Sequence, residues 1–361
     1  TATDLSKFLL AHLGRGALGQ RRILGEAAAD RMHSPSFSYA PGFSGTAHGF
    51  MVMPTGGGTM LYHGGDTMLF HSFAGILPER RFGFLVSANS TSGDAASYEL
   101  AERVLSRFFP GATGRARAAA WRSAEDPRRF AGLYLTDRRS ESDMGRVMML
   151  AMQVRATAAG GGLLVESFMH PAPERYLQVG HDLFQAEEGE AQLLFLEDGQ
   201  GTVRSAVLGQ MPIMTFSRPA WTDQPLFTLV VASLGLLVLV SGLVFPPTGL
   251  LALRWRTDPQ DREALAAARV GLALIASYLA YVVALVVAFS DPVEVLATTP
   301  LKQVAPFIPC LGLALGLAAA WYAVRAWRRG SWGWLRRVHY SAVVLGTFAF
   351  FWLLVHWRAV G

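Results

Sequence analysis

The run Leu61-Tyr62-His63-Gly64-Gly65-Asp66 carries the most informative chemistry in the chain. It sets an imidazole at the end of a strand-like segment, then two residues without Cβ, then a carboxylate. Glycines at a strand end let another molecule approach the backbone closely. Such an edge can hydrogen-bond an extended ligand, and its N–H groups can face a developing oxyanion. A His-Gly-Gly run also serves as a plain turn, so the surroundings must decide. His48 and His71 fall in the same region, with Asp66 near, but their spacing matches no familiar zinc pattern. Core or surface roles are expected for them, and no metal. His170-Pro171-Ala172-Pro173 reads as a loop, His181-Asp182 as a strand start without catalytic geometry, and Asn89 as a strand end.

The elements that must position this run follow from periodicity. Thr3-Asp4 before Leu5, Phe8, Leu9 and Leu13 predicts a capped amphipathic helix, and Leu24–His33 a second, short one. Ala47–Met53, Thr59–His63, Leu69–Leu77 and Phe82–Ala88 read as strands. Their connections, Pro54–Gly58 and Pro78–Arg81 among them, are too short for crossovers, which predicts an antiparallel meander. Ala95–Phe109 carries Ala101, Val104, Leu105 and Phe108 on one face, a helix to pack on that sheet. A basic, Ala-rich linker, Gly114–Arg129, leads to short strands from Gly132–Leu135 through Val147–Ala156 to Pro212–Phe216, a small all-β barrel or sandwich. The expected domains are residues 1–112, a linker 113–129, residues 130–220, and a membrane domain 224–357.

Taken in order, the pieces of Thr1–Phe109 resemble the C-terminal portion of the serine beta-lactamase-like hydrolases: class C beta-lactamases, penicillin-binding proteins, esterases and D-aminopeptidases. Thr1-Ala2-Thr3-Asp4-Leu5 resembles a helix start of that superfamily, and Arg22–Glu26 with Met32-His33 its next helix. His63-Gly64-Gly65 stands where the family has Lys-Thr-Gly, His-Thr-Gly or His-Gly-Gly, and Phe73–Pro78, Glu79 and Phe82–Asn89 resemble its paired strands. The resemblance implies half of an α+β transpeptidase-like domain. It implies that His63 takes the place of the Lys of Lys-Thr-Gly, and that the backbone N–H of Asp66, just after Gly65, is an oxyanion donor. The family's nucleophile, the Ser of Ser-x-x-Lys, and its Tyr-x-Asn motif are missing: no Ser stands three before Lys7 or Lys302, and Asn89 is the one Asn. This chain is therefore expected to be the C-terminal portion of a longer protein and inactive alone. The departure from Lys-Thr-Gly makes ester or peptide chemistry at least as plausible as penicillin hydrolysis. The second domain resembles the β-domain attached to many such hydrolases.

Gln224–Leu253, Val270–Ser290, Gln303–Val324 and Val338–Trp357 contain no Asp, Glu, Lys or Arg. A helix rising 1.5 Å per residue needs about 20 residues to cross a ~30 Å hydrocarbon core, so a four-helix transmembrane domain is predicted. Arg254, Arg256, Arg262 and Arg269 lie in the first connection, and Arg325, Arg328, Arg329, Arg336 and Arg337 in the third. Asp291–Lys302 has one Lys and two acids. Positive residues accumulate on the cytoplasmic side, which puts residues 1–223 outside, in the periplasm if the membrane is a bacterial inner membrane. Trp221, Trp255, Trp327, Trp332 and Trp334 fall near span ends, as interfacial anchors. His339 and His356 flank the fourth span, and the Pro246-Pro247, Pro306 and Pro309 breaks can kink helices. Spans without internal charge fit anchoring or partner docking better than ion coupling.

The net charge of +5 is explained by those Arg clusters rather than by nucleic acid. Cys310, the one cysteine, falls inside the third span, so the outer part has no disulfides and relies on its core. Two readings remain. One is a membrane-anchored serine hydrolase acting on a small-molecule, peptide or cell-wall-like substrate, with no cofactor. The other is a non-catalytic binding or assembly protein that keeps the fold. A small transporter with an outer domain is a third, with few polar residues to support it.

Overall fold

Helix α1 (Ala2–Leu13) begins one residue earlier than its sequence signal, because Thr1 is the cap: its Oγ1 accepts the Asp4 N–H at 3.2 Å. The pair Thr3-Asp4 lies inside the first turn instead. The computed structural model describes residues 1–67, 69–111, 114–121, 125–243, 259–290 and 299–360. Arg254, Trp255, Arg256, the Pro246-Pro247 pair, part of the linker and most of the second membrane connection lie outside the described residues. The chain divides into two compact units: Thr1–Arg138 with Met149–Pro219, and Arg139–Met148 with Ala220–Gly361.

In the first unit, a ribbon of β1 (Ala17–Leu18) and β2 (Arg21–Arg22) separates α1 from α2 (Glu26–His33). A six-stranded antiparallel sheet follows in sequence order: β3 (Phe37–Ser38), β4 (Gly45–Thr46), β5 (Met51–Thr55), β6 (Gly58–Asp66), β7 (His71–Leu77) and β8 (Phe82–Ala88). The meander is as expected, with two short strands added at its edge. The expected strand Ala47–Met53 begins only at Met51, because Ala47 N–H closes onto Phe50 O at 2.8 Å and Gly49 takes φ +82°. The β5–β6 turn is only Gly56-Gly57, held by Thr55 Oγ1, which accepts from Gly57 N–H and donates to Gly58 O.

One face of this sheet receives α1, whose Leu9 and Leu13 pack on Leu61, Ile76 and Leu85. The other receives α3 (Gly93–Phe108), which sets Tyr98, Ala101 and Leu105 at helical spacing against Tyr62 and Phe73. Short helix α4 (Gly114–Ala120) occupies part of the expected linker.

The second half of the unit is a closed eight-stranded antiparallel barrel, which settles the choice against a sandwich. Its strands are β9 (Gly132–Thr136), β10 (Gln153–Ala159), β11 (Gly162–Ser167), β12 (Glu174–Gly180), β13 (Leu183–Ala186), β14 (Gln192–Glu197), β15 (Val203–Leu208) and β16 (Thr215–Ser217). Closure comes from β16 on β9, with Phe216 opposite Thr136. The expected strand Val147–Ala156 is instead 3-10 helix over Met144–Leu150 and strand from Gln153. Asp143 Oδ1 takes the Gly145 N–H at 2.7 Å, a side-chain cap that starts turns rather than strand. Gly160 and Gly161, both at positive φ, make the two-residue β10–β11 turn. Phe130, Phe184 and Phe195 fill the barrel. One apolar core runs from Met51 and Tyr62 of the sheet to Phe216 of the barrel, so the two halves fold as one unit.

In the second unit, Arg262–Ala288, Pro300–Arg329 and Trp334–His356 are long and apolar enough to cross a membrane. The first expected span is described as helix over Pro225–Ser241, and residues 244–253 lie outside the described residues. Gly312 and Gly316 let helices approach: a Cβ at Gly312 would stand 2.7 Å from the Tyr278 ring. Glu263 receives Arg325 Nε at 2.6 Å and Arg329 Nη1 at 2.7 Å, tying two of these helices at one end. His356 pairs with Asp223 at 2.7 Å, and His339 lies 2.9 Å from the Ser241 hydroxyl.

Candidate functional site

Strand β6 is paired on both sides for its first part and on one side afterwards. Strand β5 accompanies it from Gly58 to Tyr62, where Met51 is the last partner. Beyond that, β7 continues alone: His63 faces Ala74, Gly64 faces Phe73, Gly65 faces Ser72 and Asp66 faces His71. The 47–50 turn that shortens β5 is the cause, since it leads the chain away at Tyr62. Among the described residues, His63–Asp66 thus present an edge with no strand partner, the feature an extended ligand pairs with.

Side chains alternate along the strand. Tyr62, Gly64 and Asp66 point to the α3 face, and Leu61, His63 and Gly65 to the other. The two glycines therefore serve different ends. A Cβ at Gly64 would meet Tyr98 Oη at 2.5 Å, so helix α3 requires that glycine. A Cβ at Gly65 would meet only Ser72 Oγ, at 3.0 Å. Gly65 keeps the His63 face low.

His63 is exposed, with Nδ1 2.5 Å from the neighbouring Gly64 carbonyl. The Asp66 carboxylate is engaged by His71 Nδ1 at 2.9 Å. His71 is buried, and its Nε2 has no hydrogen-bond partner among the described residues. Tyr62 is fully buried and donates its hydroxyl to Gln210 O at 2.8 Å. Burial pushes its phenol well above the usual range, and nearby Tyr98 adds to this, so it stays a neutral donor.

The register adds two residues that the motif did not indicate. Ser72 lies opposite Gly65, and Ser87 opposite Ser72, so both share the His63 face. Only strand pairing reveals them. His48 is exposed in the turn before β5, and Asn89 is exposed just after β8, so the three histidines are not gathered. Among the described residues, a close group of such donors lies elsewhere, and the sequence did not suggest it. Glu125, His181 and Asp182 have ligand atoms within 4.8 Å of one another. Glu125 Oε2 already takes Arg129 Nη1 at 2.6 Å, and Arg129 also bonds Glu197. With that resident guanidinium the cluster is a charge network that ties the 3-10 turn Pro127–Arg129 to the barrel. Burial raises the Asp182 carboxyl above its usual range.

The family model described as Beta-lactamase matches residues 1–107. No curated protein matches the sequence. Two solved structures, described as "Crystal structure of SurE" and "Crystal structure of SurE with D-Leu", are each 21% identical over 61% of this chain, at a TM-score of 0.36. This chain covers 48% and 50% of them, about half the length of each. The matched segment contains α1, the sheet and nearly all of α3, and with them the open edge of β6; residues 1–107 are a beta-lactamase-like domain.

Proposed function

We propose that this chain is the C-terminal portion of a membrane-anchored, extracytoplasmic serine hydrolase. The observation that carries the reading is the unpaired His63–Asp66 edge within a beta-lactamase-like domain. A carbonyl substrate lies along that edge as an added strand. A serine from the part of the protein before Thr1 attacks the carbonyl carbon, and the oxyanion is met by the backbone N–H of Asp66. Collapse expels the alcohol or amine, and water then releases the acid from the acyl-enzyme. His63 donates to the substrate or to the hydroxyl network beside the nucleophile. No cofactor is needed, because both steps use only carbonyl addition and elimination. The substrate class is an ester, amide or lactam, with peptide and cell-wall-like compounds as natural members. The apolar helices of the second unit hold the domain at a lipid bilayer, with residues 1–223 outside, a placement supported by the Arg distribution.

The test is covalent labelling of the full-length protein by a fluorophosphonate probe, followed by peptide mapping. Labelling of one serine upstream of Thr1, weakened by about tenfold or more in His63→Ala, is the expected result. Absence of labelling in folded protein rejects the reading. If His63 also attracts anionic substrates, His63→Ala lowers kcat/KM for a carboxylate-bearing ester more than for a neutral ester. An equal loss for the two esters removes that role. The second reading, a non-catalytic binding module, is favoured by the lack of Ser-x-x-Lys in this sequence. It uses the same edge as a docking strand.

A further inference from the structure

Arg139–Met148, in the link between β9 and β10, belongs to the compact unit of the apolar helices rather than to the barrel whose strands it joins. Met144 packs against the core of that unit, a cluster that includes Tyr281, Leu354 and Ala359. Glu141 accepts from Arg139 Nε at 2.8 Å and from Arg146 Nη1 at 3.1 Å. The Arg139 bond, with the charges of Arg146 and Arg358, holds the Glu141 carboxyl below its usual range. Arg358 comes just after the helix Trp334–His356, so the link sits at the end of the unit where that helix stops.

That end has the marks of a membrane–water boundary. His356, the last residue of its helix, pairs with Asp223 at 2.7 Å, just before the helix Pro225–Ser241 begins. One helix therefore starts where the other ends. Trp352 stacks on the His356 ring and is exposed on its other side, and Trp221, close by in sequence to Asp223, is 68% exposed. Exposed Trp at a span end is an interfacial anchor.

Met144–Leu150 is 3-10 helix, in which side chains three apart eclipse. Val147 therefore lies on the face of Met144, the face turned to the apolar helices. Val147 and Met148 are both exposed, Met148 at 59%. Arg146, just before them, is turned back onto Glu141. Two side chains fall far short of the ~800 Å² that a stable protein interface takes from each partner. Arg139, Glu141 and Arg146 are paired with one another and offer a partner no matching charge. A lipid surface needs neither, and acyl chains would remove the two side chains from water. We infer that the Val147-Met148 turn dips into the outer leaflet of the bilayer, a second foothold beside the helices. The inference rests on the membrane anchoring proposed above and not on the hydrolase chemistry.

The test uses the full-length protein with Cys310→Ala and one new cysteine at a time: Met148→Cys, Val147→Cys, Ser142→Cys or Leu237→Cys. Each cysteine carries an environment-sensitive fluorophore, and the protein is placed in phosphatidylcholine nanodiscs. Nitroxide lipids with the spin near the glycerol or near the chain end read depth, and aqueous iodide reads exposure to water. An apolar face seated ~5–10 Å into the headgroup boundary predicts that labels at 147 and 148 are quenched about twofold or more by the shallow nitroxide relative to the deep one. Ser142, exposed in the same link, is expected to be quenched by iodide instead. Leu237, exposed on the helix Pro225–Ser241, is the reference for anchoring itself. Lipid quenching at 237 without quenching at 147 and 148 overturns this inference alone, whereas no lipid quenching at 237 rejects the anchoring. Equal lipid quenching at 142 and 148 also overturns it. So does blue-shifted emission at 148 without lipid quenching, which means that protein covers the turn.

Discussion

The two faces of β6 show how one short run carries two unrelated duties. On one face, Tyr62 is buried, Gly64 lies under the Tyr98 hydroxyl, and helix α3 closes the surface. On the other, α1 covers Leu61 and stops, and His63 and Gly65 stand open beside Ser72 and Ser87. A strand's period of two makes this division automatic. Adjacent residues of a motif can therefore answer to different selection, one for packing and the next for access. The glycine pair looks like a single signal for ligand approach, yet only one glycine faces the accessible side.

The largest expected effect is on the closed face. Tyr62→Ala removes a fully buried ring, its stack with Phe73 and the bond to Gln210. Loss of about 3–5 kcal/mol is expected in denaturant unfolding of the first unit within the full chain. Gly64→Ala comes next. Its Cβ would stand 2.5 Å from Tyr98 Oη, which forces helix or strand to shift, at about 1–3 kcal/mol. Gly65→Ala meets only the movable Ser72 hydroxyl and is expected to cost less than about 1 kcal/mol. If the two alanine variants melt alike, the division into a packing glycine and an access glycine is wrong.

Much of this was legible from sequence where local rules decide the outcome. The meander of β5 to β8 and the helix that covers it follow from alternation, short turns and helical spacing, and both are present; the short strands beyond them left barrel or sandwich open, and closure of β16 on β9 makes it a barrel. Boundaries failed where a side chain or a glycine captured the backbone. Asp143 turned the expected start of β10 into 3-10 helix, and Gly49 shortened β5. That shortening exposes the edge at His63, so the feature on which the proposed function rests was the one least readable locally. Ser72 and Ser87 were hidden for a different reason. They join the His63 face only through strand register, which a sequence window does not show.

A comparison of histidines sharpens the contrast between buried and open positions. His12 of α1 is buried, with Nδ1 2.9 Å from His33 Nε2, between Phe8 and Phe50. Burial, and then the charge of His33, lowers the His12 pKa below its ordinary value; burial likewise lowers that of His33, against the pull of Asp30. Both folded values thus lie below the unfolded ones, so the unfolded chain takes up protons first as pH falls. Above about pH 6.5 both states are neutral and the pair has no pH-dependent effect. Below it, stability is lost progressively until pH passes the folded values. Unfolding midpoints measured between about pH 5 and 7.5 should fall on the acid side. His12→Phe should flatten that slope, and a slope unchanged in the variant assigns the acid sensitivity to other groups.

His63 is the opposite case, and the smallest effect on stability is expected there. Its ring is exposed, and its one close polar contact is with the carbonyl of the next residue. His63→Ala should shift unfolding by no more than about 0.5 kcal/mol, as surface substitutions do. The same variant is expected to weaken serine labelling by about tenfold or more in the full-length protein. A variant that leaves the fold intact yet lowers reactivity would mark His63 as a residue held for its chemistry. The Gly64 variant would show the reverse pairing, with stability lost first and labelling lost only as the fold fails. If His63→Ala instead destabilises the unit as much as Gly64→Ala does, the open face is a covered one. The site would then have to be sought on the other side of the sheet.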